Sequence, residues 1–295
     1  MKKSLIFACL VGVSSISQAQ LQSKKGEAYL PEAGDWSIGI DATPFLNYMG
    51  NFLSSAGNTA PTQNFLNGNQ TIIGKYFVDA NKAYRGILRI GINSSNQTNQ
   101  LGKYGATPAT YPALPELVED AYTEKSSFVG LGGGLEFRRG KTRLQGYYGG
   151  DVMLSFSSSS RSFEYGNALN DSTAVSSLTS TFNGGVNITN DTYGNGGRII
   201  NQNDGSSFAF TLRGFAGVEY FVLPKLSIAG EFGWGLTVAN VGAGSTELES
   251  VGFNGTDFVV GTQTIENTKA GNFTIDTDRN LTGSATGALR LNFHF

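Results

Sequence analysis

The sequence predicts an all-β chain: an eight-stranded antiparallel up-and-down transmembrane β-barrel with four long external loops and three short periplasmic turns. Three observations predict it. The chain opens on an export signal, apolar residues recur at every second position in segments of about ten residues, and the connections alternate between tight turns and long polar stretches.

The export signal comes first in the chain. Lys2 and Lys3 form a basic region, Leu5 to Val13 an apolar run, and Ser17-Gln-Ala19 a peptidase site, which places cleavage after Ala19. The expected organisation is a signal peptide at 1-19, a short periplasmic segment at 20-33 and the barrel at 34-295. The apolar run is shorter than the roughly 20 residues a membrane-spanning helix needs, and no later stretch approaches that length. Cys9, the only cysteine, lies inside the signal; Phe7 and the short apolar run before it argue against a lipoprotein acylation site. The mature chain is then expected to have neither disulfides nor thiol chemistry.

Composition agrees with the pattern. Glycine supplies 40 of 295 residues, roughly double the usual share of about 7%. Without Lys2 and Lys3, 19 basic side chains face 23 acidic ones, a balance that offers nucleic acid no basic surface.

The alternating segments are Trp36 to Ala42, Ile72 to Val78, Tyr84 to Ile92, Val129 to Phe137, Leu144 to Leu154, Phe208 to Tyr220, Ile228 to Val238 and Ala285 to Phe295. Tight turns are expected near Asp79 to Lys82, Arg138 to Thr142 and Val222 to Lys225. An even strand count puts both termini on the short-turn side, in the periplasm, and the long loops outside a bacterial outer membrane. The competing architecture is a soluble lipocalin-type barrel, which would turn its apolar face inward.

Two details favour the membrane reading. Trp36, Tyr76, Tyr84, Tyr220 and Phe295 fall near expected strand ends, where interfacial aromatic girdles belong. On the opposite, inward faces the alternation collects Lys75, Arg85, Arg89, Arg143, Arg213 and Arg290 against Asp35, Asp41, Glu136, Asp151, Glu219 and Glu231. Opposite charges inside a narrow barrel are expected to pair into a plug, because isolated buried charges are costly. Inward Gly130, Gly132 and Gly134 would leave room for long neighbours such as Arg143 and Tyr147.

These residues resemble the OmpA/OmpX-type eight-stranded outer-membrane barrels over Gly34 to Phe295. The run Gly217-Val-Glu-Tyr-Phe-Val-Leu-Pro-Lys-Leu-Ser-Ile-Ala-Gly-Glu-Phe-Gly-Trp-Gly-Leu236 is similar to the strand, turn and strand of that outer-membrane β-barrel domain. The ending Leu289-Arg-Leu-Asn-Phe-His-Phe295 is similar to the signal read by the barrel-assembly machinery, with Leu289, Leu291, Phe293 and Phe295 as its alternate apolar positions. The resemblance implies outer-membrane lipid as surroundings, the assembly machinery as partner during biogenesis, and anchoring, envelope integrity, adhesion or loop-mediated recognition rather than catalysis. It carries no ligand over, and the chain stops at the last strand, without the peptidoglycan-binding domain of full OmpA relatives.

Catalytic and cofactor motifs fail when tested. Gly140-Lys141-Thr142 imitates the end of a phosphate loop, but Leu135 stands where its first glycine should be, and the glycines at 130 to 134 miss the dinucleotide pattern at the same residue. His294, the one histidine, is expected at the periplasmic end of the last strand, far from any outer-loop serine and without a second His or Cys for a metal. Asp276-x-Asp278-x-Asn280 starts like a calcium loop but lacks its turn glycine and bidentate acid. No enzyme activity, cofactor or metal is expected.

The four loops carry 14 acidic and 6 basic residues, an acidic external face. Pro115 before Glu116-Leu-Val-Glu-Asp120 suggests a short helix in the second loop, and Ser157 to Ser206 reads as a mobile or partner-binding tip. The first functional expectation is a non-enzymatic envelope anchor whose loops meet an external protein or glycan; the alternative is a small porin-like channel or transport accessory.

Overall fold

The computed structural model describes residues 22–23, 26–54, 71–276 and 288–295. The expected signal peptide with Ala19, the calcium-like run beyond Asp276, and Ala285 and Gly287 lie outside the described residues. The chain is all-β. Its strands are β1 (Trp36–Asp41), β2 (Ile72–Asp79), β3 (Lys82–Gly102), β4 (Leu117–Arg139), β5 (Leu144–Glu164), β6 (Ile188–Asn190), β7 (Gly196–Leu223), β8 (Leu226–Val241), β9 (Ser245–Phe253), β10 (Phe258–Glu266), β11 (Ala270–Asp276) and β12 (Ala288–His294). Among the described residues two helices join them, α1 (Thr43–Ser54) and α2 (Val175–Leu178).

All twelve strands belong to one antiparallel sheet, within which eight close on themselves: β1, β2, β3, β4, β5, β7, β8 and β12 pair in that order, and β12 returns to β1. The closing seam sets Ile38 opposite Phe293 and Ile40 opposite Leu291. Trp36 and Phe295 then exchange both backbone hydrogen bonds, at 2.8 and 3.0 Å. The terminal residue of the chain is thus clasped into the ring rather than frayed.

Side chains alternate around the ring as a period of two requires. On β8, Ser227, Ala229 and Glu231 are buried while Phe232 and Trp234 are exposed. On β2 and β3, Ile73, Lys75, Phe77, Ala83, Arg85 and Ile87 turn in, and Tyr76, Tyr84 and Ile90 turn out. Charged groups lie inside and large apolar ones outside, the reverse of the lipocalin-type arrangement. Ala42 departs from its expected outward position: it is buried, and its N–H donates to Leu289 as the chain leaves β1 for α1. The three tight connections lie at Ala80-Asn81, between Arg139 and Leu144, and at Pro224-Lys225.

The outer apolar surface ends at one level on neighbouring strands. Val129, Phe156 and Phe208 stand side by side in register, and Ser127, Ser158 and Ser206 follow beyond them. From Leu144 to Phe156 is roughly 40 Å of strand, about 30 Å of height at a tilt near 40°.

Past that level β3, β4, β5 and β7 continue where long loops were expected. Asn93 to Gly102 pairs residue by residue with Leu117 to Ser126. Glu116 to Asp120 is therefore not helical; its backbone groups are taken by the β3 ladder, and cross-strand pairing outweighs the helix-start signal of Pro115. The β3 extension escapes an alternation test because it is polar on both faces, and those of β4, β5 and β7 because their few apolar residues are too scattered to mark a face.

The stretch Ser157 to Ser206 likewise has a packed core of its own. Tyr122, Phe163, Phe182 and Ile199 form a buried cluster of their own, with Tyr122 and Phe163 stacked at 5.0 Å between centroids. Buried polar side chains tie the intervening chain: Asp120 accepts from Gly166 and Ser180, Asn187 from Phe182, and Arg198 pairs with Glu249 at 2.5 Å while lying 4.2 Å over Tyr165. Here β9 replaces β8 beside β7, and β10 follows it as the sheet's outer strand. The change of partner turns at Gly205, whose φ is +83° and where an added Cβ would stand 2.4 Å from the Gly242 carbonyl oxygen, leaving no space for a side chain.

Candidate functional site

The interior of the ring holds the densest set of charged side chains, and its layers can be built from the tight-turn end upward. Phe77 and Phe221 close that end, with the Arg138 guanidinium 5.3 and 5.7 Å from their rings. Arg138 is 1% exposed; it reaches Glu136 and Glu219, each at 2.7 Å. Lys75 joins the same two carboxylates at 2.9 and 3.6 Å and lies 4.7 Å over the Tyr147 ring.

One layer higher, Arg85 is the hub. It contacts Glu231 at 2.9 Å, Glu136 at 3.3 Å and Asp151 at 3.3 Å, and its guanidinium lies 3.9 Å from the Phe215 ring centroid. Arg213 bridges Glu231 at 2.9 Å and Asp151 at 3.1 Å. Every carboxylate in these layers touches at least two cations, the condition under which charges can be held away from water. Above them Ile73, Ile87 and Met153 form an apolar layer.

The expected twelve-residue set is corrected at its margins. Lys75, Arg85, Glu136, Asp151, Arg213, Glu219 and Glu231 form the network. Arg290 is buried inside the ring but donates to the Thr71 carbonyl, and Asp41, opposite it in register, accepts from the Thr43 N–H at the start of α1. Arg89 is only half-buried and stacks 4.2 Å over Phe128, without an ion pair among the described residues. Asp35 caps the entry to β1 by accepting from Glu32. Arg143 leaves the interior altogether: it donates to the Phe221 and Val222 carbonyls and lies 3.8 Å over Tyr29, because Leu144 begins β5 one residue later.

Arg138 is the member that sequence reasoning missed, having been assigned to the turn. The spacing Glu136-x-Arg138 was the available signal, since β4 runs through Arg139 and both residues share its inner face. The glycines serve closer neighbours than Arg143. A Cβ on Gly134 would come within 2.1 Å of the Asp151 carboxylate, one on Gly132 would press on Met153, and one on Gly217 would meet the Tyr147 ring at 2.5 Å.

His294 also has a partner the sequence concealed. Its Nε2 lies 3.0 Å from the Ser227 hydroxyl and 3.4 Å from Glu219, all three buried at the closed end, and Asn292 donates to the same carboxylate. Serine and glutamate meet the same ring nitrogen, so the carboxylate does not orient the imidazole from its far side as a serine-histidine relay requires. The trio extends the network.

Among the described residues, no group of three His, Cys, Asp or Glu side chains is placed to hold a metal, and no helix is long and apolar enough to cross a membrane. No family model, curated protein or solved structure matches the chain.

Proposed function

We propose that the chain is an exported outer-membrane β-barrel whose eight-stranded ring spans the bilayer, closed by its internal ion pairs, and which serves as a non-enzymatic anchor for an external recognition platform. One observation carries the reading: the ring presents a continuous apolar outer surface around an interior of paired charges, an inversion that is stable in lipid and not in water. The exposed aromatic row Trp36, Tyr76 and Tyr84, adjacent across β1, β2 and β3, suits the periplasmic interface. The clasped Phe295 suits a terminal strand handed over by the barrel-assembly machinery, and the ladders of β3, β4, β5 and β7 carry the acidic surface clear of the lipid.

The experiment is planar-bilayer conductance of the refolded chain beside its gel mobility with and without boiling. Heat-modifiable migration without steady conductance is the expected result. Steady ion flow would replace the anchor by a small channel lined by Arg85, Arg213 and their carboxylates. Migration unaffected by boiling would count against the barrel itself.

A further inference from the structure

The end of the molecule farthest from the tight turns carries a cleft between the β9–β10 hairpin and the turn Asp191 to Asn195. It encloses about 550 Å³ and is lined by Tyr193, Asn195, Phe253, Asn254, Val259 and Gln263. That volume lies in the ordinary range of small-ligand sites, roughly 300 to 1,000 Å³. We propose that this cleft binds a neutral carbohydrate, a hexose unit of a surface glycan. The inference names a ligand class for the platform and rests on the proposed function only for the cleft's facing outward.

The turn is held rigid before any ligand arrives. Asp191 Oδ1 accepts the N–H groups of Tyr193 and Asn195, and Oδ2 accepts the Asn195 amide and the Ser250 hydroxyl. Four donors saturate the carboxylate, which therefore serves the turn and leaves the cleft without an available charge. Gln263 closes one side: its carbonyl oxygen takes the Thr192 N–H and hydroxyl, so its amide N–H groups remain for a ligand. Asn254 repeats the arrangement, its oxygen accepting from Thr256 and Asp257. The floor is kept open by glycine, since a Cβ on Gly252 would press on the Asn195 amide at 3.3 Å.

Two aromatic side chains line the same cleft without burial of their own. Tyr193 is 83% exposed and Phe253 60% exposed. One exposed ring on a rigid turn and another at the end of β9, lining a cleft with held amides, match the two surfaces of a pyranose, an apolar face of C–H groups that stacks on an aromatic and a rim of hydroxyls that hydrogen-bonds to amides. Among the described residues no lysine or arginine lines the cleft. An anionic sugar, a phosphate or a nucleic acid would find no countercharge there.

The test uses the whole chain purified in lauryldimethylamine oxide, a detergent without a sugar headgroup to compete. Maltohexaose, cellohexaose, mannohexaose and chitohexaose are titrated calorimetrically, with a heparin hexasaccharide as anionic control. Saturable binding of at least one neutral oligosaccharide is expected, weakened about tenfold or more by Tyr193→Ala and by Gln263→Ala. Tyr193 is exposed, so its loss leaves the fold and the heat-modifiable migration unchanged. Absence of neutral binding, preference for the heparin fragment, or equal binding by both variants would overturn the proposal. Because the readout is binding by purified protein, it can fail while anchoring stands, and the reverse.

Discussion

At the scale of single residues, the difference between a buried and a marginal charge decides what a substitution costs. Glu136 answers three cations, Lys75, Arg85 and Arg138, from a side chain with no exposure. Replacing it by Gln should destabilise the ring by about 3–5 kcal/mol, because the cations stay buried after their shared partner loses its charge. The checking measurement is the temperature at which the compact gel band converts to the unfolded one. Arg143→Ala, at the turn, should move that temperature little, since its bonds are to carbonyls at the surface; equal losses for the two would refute the assignment. Asp191 governs a second prediction. Burial raises its pKa, but the hydrogen bonds of Asn195, Ser250 and Tyr193 outweigh this and hold the carboxyl down to about 2. A group whose pKa is lower folded than unfolded stabilises its turn above the unfolded value, about 3.9, and loses that contribution as pH falls towards 2. The protection factors of the Tyr193 and Asn195 amides, each rate taken relative to the intrinsic exchange rate at the same pH, should therefore hold at pH 5 and fall between about pH 4 and 2. A fall centred near neutrality would contradict it.

At the scale of elements, β12 and the β5–β7 connection make opposite kinds of contribution. β12 closes the ring through a short ladder with β1 and β8 and the Trp36–Phe295 exchange. Removing Phe293 to Phe295 should abolish the heat-modifiable form, because an open edge in lipid leaves backbone groups unsatisfied. A truncated chain that still migrates as the compact form would show that the seam is dispensable. Phe182, buried with no exposure beside Tyr122 and Phe163, belongs to a separate cluster outside the ring. Phe182→Ala should cost that cluster about 3–5 kcal/mol and expose the 157–206 stretch to protease while the ring's gel transition stays put. A simultaneous shift of both would mean that platform and ring unfold as one unit.

At the scale of the whole molecule, the orientation can be read chemically. With Cys9 the only cysteine of the full chain, single-cysteine substitutions at Thr256 in the β9–β10 turn and at Asn81 in a tight turn report the two ends. A membrane-impermeant maleimide added to intact cells should label Thr256→Cys, and Asn81→Cys only after permeabilisation. The opposite pattern would invert the proposed topology.

How much of this was readable in advance depended on whether the signal was local. The alternating segments within the described residues, the three tight turns and the burial of nine of the twelve expected interior charges follow from a period of two along each strand, which places a side chain inside or outside without knowledge of its neighbours. Arg138 and Arg143 exchanged roles because the strand ends fall a residue or two from where they were expected: β4 runs on through Arg139 and keeps Arg138 on the face of Glu136, while Arg143 precedes β5 and is outside its alternation. The extended ladder of β3 and β4 carries no regular alternation, β3 being polar on both faces and β4 apolar only at scattered positions; pairing with the partner strand holds them extended. The packing of the 157–206 stretch, read as a mobile or partner-binding tip, was hidden because Phe163, Phe182 and Ile199 are scattered among serine, asparagine and glycine, and they become a core only when β4, β5 and β7 bring them to Tyr122. The sequence by itself determined the strand pattern and the inversion of polarity across the ring, since both are properties of consecutive residues. The tertiary structure decided which charges meet, that His294 sits against Ser227 and Glu219, and that Tyr193, Phe253 and Gln263 share one cleft, because those contacts join residues far apart in the chain whose spacing is set by register.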